Sequence, residues 1–274
     1  MNDVAPILEV CNLRKVYRQG ALFGGGTGHA ALTDVSLALR PEDGKVLSIV
    51  GESGSGKTTL ARIVLRLVAA DSGTVSVAGQ SIVADGQRTV DNRTLRKLVQ
   101  PIFQNPFEAF SLQLPLEEYL FRTAINLGET ATRNDPRPAV EEALIAVGLS
   151  YAKVAGKGIR AFSGGELQRI SVARALIAKP RLIVADEPVS MVDASLRMTI
   201  VNLFKELSTR LGVAFVYITH DLSTAYYLSD VMAIMRQGEL VEFGRPEAIL
   251  QSPSSDYTRA LLDAIPTLDR RWDI

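Results

Sequence analysis

The segment Gly51–Thr58 constrains the fold of this chain more than any other feature. It reads GESGSGKT and lies between KVLSIV, an apolar run typical of a buried strand, and TTLARIVLRLV, whose apolar spacing indicates a helix. Glycines in such a loop let successive backbone N–H groups point inward, and the helix N-terminus adds positive potential at the same place. The sequence therefore predicts a strand, a polyphosphate-binding loop and a helix in that order.

Each residue of this loop has an expected part in binding ATP. Lys57 would bridge the β- and γ-phosphates, and the Thr58 hydroxyl would be a ligand of Mg²⁺. The loop residues expected to contact the nucleotide are Gly51, Glu52, Ser53, Gly54, Ser55, Gly56, Lys57, Thr58 and the following Thr59. The loop alone does not separate kinases, GTPases, helicases and transport ATPases, because all of these classes contain it.

A pair of adjacent carboxylates follows a second apolar run. The residues LIVA lead into Asp186 and Glu187, and the carboxyl ends of parallel strands meet at the ligand-binding edge of a sheet. At that edge Asp186 would hold the Mg²⁺ shell, and Glu187 would orient the attacking water or accept its proton. This pair favours hydrolysis of the nucleotide over binding alone.

The segment Phe162–Arg169, FSGGELQR, resembles the signature motif of ABC ATPases, with Glu166 at a position where glutamine is the familiar residue. A serine and two glycines at the start of a helix offer a hydroxyl, unblocked N–H groups and the helix dipole to an anion. The resemblance implies that Ser163, Gly164, Gly165 and Glu166 face the ATP held by a second ABC ATPase subunit. The two subunits would form a head-to-tail homodimer or heterodimer.

The same resemblance extends over nearly the whole chain. It implies that Gln104 senses Mg²⁺ and contacts a membrane partner, and that Asp193 lies in a loop that crosses the dimer interface. It also implies that His220 contacts the γ-phosphate and that Tyr17 stacks on adenine. The implied catalytic residues are Glu187, His220, Gln104 and Lys57, and the implied Mg²⁺ ligands are Thr58, Gln104 and Asp186.

Strands and helices alternate along most of the sequence, which predicts an α/β fold with a parallel sheet covered on both faces. The resemblance implies the P-loop NTPase fold, with a RecA-like parallel sheet core, an N-terminal antiparallel β subdomain and an inserted α-helical subdomain. We expect a single ABC ATPase domain over 1–274, divided into a mainly antiparallel β part in 1–45, a catalytic core in 46–105 and 163–250, a helical subdomain in about 106–160, and a C-terminal tail in 251–274. The glycine-rich segment 20–30 lacks a strand and a helix in the required order and is expected to be a loop without chemistry.

The composition limits the possible partners. Thirty Lys and Arg residues balance 30 Asp and Glu residues, so the chain has no overall positive field of the kind that nucleic-acid binding uses. The single Cys11 cannot form an intramolecular disulfide. The sequence opens without a basic and apolar leader, and no apolar run reaches the roughly 18 residues of a membrane span. Together with the resemblance, this predicts a peripheral subunit at the cytoplasmic face of the cell membrane, bound to two transmembrane permease subunits.

Two segments resemble the oligopeptide and dipeptide importer branch in particular. They are ADEPVSMVDASLR, which contains the acidic pair, and SPSSDYTRALLDAIP, in which Ser255 and Asp256 stand where the branch has His-Pro. Members of this branch work with an extracytoplasmic solute-binding protein, and some import nickel or oligosaccharides. The resemblance therefore implies an ATP-hydrolysing subunit of an importer for oligopeptides or dipeptides, with nickel or oligosaccharides as the alternative cargo. The remaining alternatives are an accessory ABC ATPase of a phosphonate-metabolising complex and an ABC ATPase that acts on DNA or ribosomes.

Overall fold

The strands of this chain lie in two sheets. The computed structural model describes residues 4–18, 28–107, 109–110, 112–127 and 134–264. Its strands are β1 Leu8–Arg18, β2 Gly28–Leu39, β3 Val46–Val50, β4 Ser72–Val77, β5 Gln80–Ala84, β6 Gln87–Arg88, β7 Val99–Ile102, β8 Leu182–Asp186, β9 Ala214–Thr219, β10 Val231–Arg236 and β11 Glu239–Gly244. Its helices are α1 Lys57–Val64, α2 Asn92–Leu98, α3 Leu116–Leu127, α4 Arg137–Ala146, α5 Tyr151–Val154, α6 Gly164–Ile177, α7 Ala194–Leu211, α8 Leu222–Leu228, α9 Pro246–Gln251 and α10 Asp256–Asp263, with 3₁₀ turns at Pro41–Asp43 and Ile159–Ala161.

The larger sheet has the order β11-β10-β3-β9-β8-β7. All its neighbouring strands are parallel except β11, which runs antiparallel to β10. Strands β3 and β9 are buried along their whole length because both faces of the sheet are covered. On one face Leu47 packs with α1 and the second sheet, and on the other Phe215 and Tyr217 pack against Phe204 of α7. The prediction of a covered parallel sheet is confirmed.

The smaller sheet is antiparallel, with the order β2-β1-β4-β5-β6. Its strands come from two separate stretches of the sequence, since Leu8 of β1 pairs with Val77 of β4 as well as with Leu39 of β2. The predicted limit of the antiparallel part at residue 45 is therefore too early, because 72–88 adds three strands to this sheet. The boundary could not be placed from sequence order, because β1 pairs with β4 although the core strand β3 lies between them in the chain. Of the predicted loop 20–30, residues 28–30 belong to β2, and 20–27 lie outside the described residues.

Helix α1 is shorter than its apolar pattern predicts. The pattern continues to Val68, whereas the helix ends at Val64. Arg66 adopts a left-handed backbone with φ of 55°, and the Leu67 N–H bonds back to the Arg62 carbonyl. This left-handed turn closes the last carbonyls of the helix and redirects the chain toward β4.

The helices between β7 and β8 form one apolar core. Leu120 of α3, Val140 and Leu144 of α4, and Leu167 and Ile170 of α6 are all buried in it. Helix α6 thus packs on helices α3 and α4 as well as on the parallel sheet. Residues 163–166 at its start, called the Ser163 segment below, therefore lie where these helices meet the sheet. In the part of the chain that the structure describes, no helix has both the length and the apolar character needed to cross a membrane.

Candidate nucleotide site

Glycines let the loop between β3 and α1 pack closely on neighbouring strands. Gly54 and Gly56 have φ of 82° and 104°, a region that side chains with a Cβ rarely adopt. A Cβ on Gly56 would lie 2.6 Å from the Ala31 carbonyl oxygen, and one on Gly51 would lie 2.2 Å from that of Met235. The glycines at 51 and 56 are therefore required by the docking of the loop on β2 and β10.

The N-terminus of α1 is open to an anion. Gly56 is its N-cap and has no side chain to accept hydrogen bonds from the first turn. The Leu60 N–H bonds to the Gly56 carbonyl, so the N–H groups of Lys57, Thr58 and Thr59 precede the first helical bond. Such N–H groups and the helix dipole together favour a phosphate at this place.

The Lys57 side chain lies across the loop. Its ammonium donates to the carbonyl oxygens of Gly51 and Glu52, both at 2.7 Å, and lies 3.3 Å from the Ser55 hydroxyl. The residue is only 5% exposed, and this burial lowers the pKa of Lys57, while the nearby Glu187, Asp186 and Glu52 raise it. The loop thus holds one buried cation at the expected phosphate position.

Asp186 ends β8 beside the start of α1. The Thr58 hydroxyl donates to Asp186 Oδ1 at 3.3 Å. Burial raises the pKa of Asp186, and the charge of Glu187 adds to this, while the bond from Thr58 lowers it. A partly buried carboxylate next to a hydroxyl fits a hard cation such as Mg²⁺, which binds oxygen. No group of three or more His, Cys, Asp or Glu side chains among the described residues could hold a metal, so phosphate oxygens would have to complete the shell.

Glu187 is held at the centre of the acidic edge by neighbours from two other strands. Gln104, after β7, donates through Nε2 to Glu187 Oε2 at 3.4 Å, and Nδ1 of His220, after β9, lies 3.4 Å from Oε1. The backbone of Glu187 is left-handed, with φ of 45°, and its N–H bonds to the Ile218 carbonyl. Non-glycine residues hold such a conformation at a cost and are common at active sites. Three strand ends therefore converge on one carboxylate.

The Ser163 segment begins α6 with two reciprocal hydrogen bonds. The Ser163 hydroxyl accepts from the Glu166 N–H at 3.3 Å, and Glu166 Oε2 accepts from the Ser163 N–H at 3.0 Å. The other carboxylate oxygen of Glu166 is paired with the Lys153 ammonium. The Lys153 bond, followed by that from Ser163, lowers the pKa of Glu166 to about 2. The unfamiliar glutamate thus has a local explanation as the partner of the helix start and of Lys153.

Of the two glycines of this segment, Gly164 packs on the loop after β8 and Gly165 on the first turn of α7. A Cβ on Gly165 would lie 3.2 Å from Leu196 Cδ1, and one on Gly164 would lie 3.6 Å from the Met191 carbonyl oxygen. Asp193 is exposed at the N-cap of α7, where its side chain makes no capping bond. Within the described residues, no hydrogen bond or ion pair joins 163–166 to the phosphate loop 51–59. The two candidate phosphate-binding segments are thus separate within one chain.

Tyr17 lies in β1 of the antiparallel sheet. Its ring is 38% exposed, and the Lys15 ammonium lies 5.6 Å from the ring centroid. Its strand partner is His29. An exposed aromatic ring can stack on a base, and this position is compatible with the expected adenine contact. The contact itself stays a prediction.

Sequence reasoning missed two residues that hold site residues in place. Ser190 donates through its backbone N–H and its hydroxyl to the Glu187 carbonyl oxygen, at 3.2 and 2.9 Å. Lys153 pairs with Glu166 from a distant turn of the helical segment. A serine three residues after Glu187 is typical of a turn, so the contact of Ser190 could have been predicted. No feature of the sequence around Lys153 indicates its pairing with Glu166.

Comparison with known proteins places this arrangement in a family. The sequence profile of a family described as ABC transporter matches residues 32–190. The chain is 35% identical over 233 residues to the oligopeptide transport ATP-binding protein OppF of Salmonella typhimurium, a match that covers 85% of this chain and 69% of OppF. It is 36% identical over 272 residues to the oligopeptide transport ATP-binding protein OppD of Mycobacterium tuberculosis, which covers 98% of this chain. The chain spans only 43% of the length of that OppD.

Solved structures give the same result for the fold. The dimeric structure of a post-hydrolysis state of the ATP-binding cassette MJ0796, bound to ADP and Pi, superposes with a TM-score of 0.71 at 25% identity. The match covers 87% of this chain and 98% of that one. The two sheets, the helical segment and the loop between β3 and α1 therefore form a fold that is known to bind a nucleotide.

Proposed function

The chain belongs to the ABC transporter family, and on that basis we propose that it hydrolyses ATP and energises an ABC importer whose cargo is oligopeptides or dipeptides. The observation that carries the ATPase part of the proposal is Glu187, held between Gln104 and His220 beside the Asp186–Thr58 pair. A general base must lie within hydrogen-bonding reach of the water it activates, and its own position must be fixed. Both conditions fit a carboxylate at the end of β8.

The proposed division of labour follows from the positions of the side chains. Glu187 accepts the proton of the attacking water, and Gln104 and His220 orient the two oxygens of its carboxylate. Lys57 and His220 stabilise negative charge on the transferred phosphoryl group. Thr58, Asp186 and Gln104 would hold Mg²⁺, which supplies charge neutralisation between the β- and γ-phosphates when bound.

We assign the completed site to two subunits in a head-to-tail dimer. The segment 163–166 makes no hydrogen bond to its own phosphate loop within the described residues, although a serine and two glycines at the start of a helix suit an anion. A second ABC ATPase subunit would place its own phosphate loop opposite this segment, with Asp193 at the interface and the adenine on Tyr17. The similar cassette MJ0796 is itself described as dimeric, which supports this arrangement.

The import and peptide parts of the proposal rest on the relatives. The OppD and OppF proteins are described as oligopeptide transport ATP-binding proteins, and the C-terminal residues SPSSDYT resemble the same branch. Because these relatives are described as transport proteins, we infer that the chain binds, at the cytoplasmic face of the membrane, two transmembrane permease subunits that supply the channel. An extracytoplasmic solute-binding protein would then select the cargo.

Affinity purification from native membranes tests the assembly. We expect a tagged wild-type chain to recover two polytopic permeases and either a sibling ATPase or a second copy of itself, with ATPase activity in the recovered complex. Recovery of ribosomes, DNA-repair factors or metabolic enzymes instead of permeases would leave the ATPase and refute the importer.

A further inference from the structure

The C-terminal segment, which the family profile does not cover, contacts the phosphate loop directly. Tyr257 of α10 accepts a hydrogen bond from the Glu52 backbone N–H at 3.1 Å. Glu52 is the second residue of the loop, 205 positions earlier in the chain. The role of the segment SPSSDYT is not explained by any of the catalytic groups described above, and this bond gives it a connection to the site.

The Tyr257 ring is fixed by burial and by a cation. It is 7% exposed and belongs to an apolar cluster with Val50 of β3, Ile234 of β10 and Ile249 of α9. The Arg236 guanidinium lies 4.9 Å from the ring centroid, within the range of a cation–π contact. Because the ring is held by these contacts, the position of its hydroxyl oxygen beside the Glu52 N–H is fixed.

The start of α10 is anchored to the parallel sheet. Glu242 of β11 accepts from the Ser255 N–H at 2.6 Å and from the Ser254 hydroxyl at 3.1 Å. The Ser255 hydroxyl in turn accepts from the Tyr257 N–H at 3.2 Å as a helix cap. The position of the Tyr257 hydroxyl is therefore set by β11 and not by the helix alone.

The phosphate loop is held at a second point by the β10–β11 turn. The Gly238 N–H donates to the Ser55 carbonyl oxygen at 3.0 Å. The bond to Tyr257 at Glu52 and the bond to Gly238 at Ser55 lie on either side of Ser53 and Gly54. One end of the curled part of the loop is thus attached to helix α10 and the other end to the β10–β11 turn.

We propose that Tyr257 is a positioning residue for nucleotide binding, acting through the Glu52 backbone to hold the phosphate loop in its binding geometry. This inference rests on the proposed binding of ATP by that loop. Loss of the hydroxyl would loosen the N-terminal arm of the loop, which Lys57 would still hold through the carbonyl oxygens of Gly51 and Glu52, so that nucleotide binding must order it further. Since one such hydrogen bond is worth a factor of roughly 3 to 10, nucleotide affinity would weaken by about that factor.

The variant Tyr257→Phe tests the inference, because it removes the hydroxyl and keeps the ring. Thr258→Val is a matched control, since the Thr258 hydroxyl is also buried in α10 and makes no hydrogen bond within the described residues. We expect Tyr257→Phe to raise the Kd and KM for ATP about 3- to 10-fold with kcat changed less than about 2-fold. Hydrogen exchange in peptides covering 51–58 should become faster in the nucleotide-free protein.

Four outcomes are distinguished. Wild-type affinity, KM and loop exchange in Tyr257→Phe would overturn the inference, and so would an equal rise of KM in Thr258→Val, because that would indicate a general loss of packing. A rise confined to Tyr257→Phe would support it. Failure of the wild-type chain to bind ATP would refute the proposed function itself, and is thereby distinguished from failure of this inference.

Discussion

Glu187 combines a strained backbone with side-chain contacts from two other strands. Its φ of 45°, its hydrogen bond from Gln104 and its contact with His220 place both carboxylate oxygens toward neighbouring strand ends. A left-handed backbone costs about 1 to 3 kcal/mol in a non-glycine residue and persists where surrounding contacts fix it. This cost is consistent with a residue whose position matters more than its contribution to stability.

We predict that Glu187→Gln lowers ATP turnover about 10²- to 10⁴-fold while ATP binding is retained. The amide keeps the size and the hydrogen-bonding reach of the side chain but cannot accept the proton of the water. Steady-state phosphate release and nucleotide binding measure the two effects. Glu206→Gln, on the exposed face of α7, is the control and should turn over like the wild type. Undiminished turnover in Glu187→Gln would exclude this residue as the base.

Asp186 is predicted to destabilise the nucleotide-free protein. Burial raises the pKa of Asp186, so the charged form is disfavoured in the folded state, and the destabilisation is present above the folded pKa. Asp186→Asn should therefore raise the free energy of unfolding at neutral pH, and the gain should shrink as the pH falls. The same variant should need at least about tenfold more Mg²⁺ for turnover. Denaturant unfolding and Mg²⁺ titration are the measurements, and a loss of stability at neutral pH would contradict the account.

The Glu166–Lys153 pair predicts a pH window for stability. The pKa of Glu166 is lowered from 4.5 to about 2, so its stabilisation is complete above the ordinary value and is lost as the pH falls from about 4.5 to 2. Lys153→Met should cost about 1 kcal/mol or less at neutral pH, because the pair is partly exposed, and the difference from wild type should vanish near the lower limit. Denaturant titrations at several pH values check this. A difference that is constant over the window would show that the ion pair is not its cause.

At the scale of elements, the phosphate loop depends on its glycines to different degrees. A Cβ on Gly56 would lie 2.6 Å from the Ala31 carbonyl oxygen, whereas a Cβ on Gly54 would meet nothing within 4 Å. Both residues have positive φ, so both alanine variants carry a backbone cost of about 1 to 2 kcal/mol. We predict that Gly56→Ala costs at least about 1 kcal/mol more free energy of unfolding than Gly54→Ala, because it adds the steric overlap. Equal costs would mean that the loop is not docked on β2 as described.

Elements with a strong local signal were predictable from the sequence. VLSIV, LIVAD and AFVYIT are apolar along their length, and they form the adjacent strands β3, β8 and β9. Because parallel strands end at one edge, the meeting of Asp186 and Glu187 with the phosphate loop could also be expected. The early end of α1 at Val64 could not, since Arg66 adopts its left-handed turn without a glycine to mark it.

Contacts that depend on long-range packing could not be predicted from the sequence. Strands β4–β6 join the N-terminal sheet only because β1 can pair on both edges, which its sequence does not reveal. The bond of Tyr257 to Glu52 and the pairing of Lys153 with Glu166 likewise link residues whose spacing carries no period. The sequence marks the Tyr257 segment only by its resemblance to a branch of the family, whereas the proposed role of Tyr257 depends on the position of β11.

At the scale of the whole molecule, the proposed dimer has two nucleotide sites, and each chain contributes a different half to each of them. The phosphate loop and Glu187 belong to one half, and the exposed start of α6 at Ser163 belongs to the other. If ATP joins two such chains, a variant that binds ATP and cannot hydrolyse it must remain joined. Dimerisation is therefore expected to depend on the nucleotide and to reverse on hydrolysis.

We predict that Glu187→Gln sediments as a dimer with ATP and as a monomer without it. The double variant Lys57→Ala with Glu187→Gln should remain monomeric at the same ATP concentration, because it lacks the ammonium that neutralises the phosphates. A dimer in the absence of ATP, or one that persists in the double variant, would show that the nucleotide does not join the subunits.

The central claim, that this ATPase powers oligopeptide import, is tested most directly by uptake of a labelled oligopeptide in cells that lack the chain. We expect uptake to fall when the chain is removed, to return with the wild-type chain, and to stay low with Glu187→Gln expressed at the same level. Uptake that is unaffected by removal of the chain, or restored equally by Glu187→Gln, would contradict the claim.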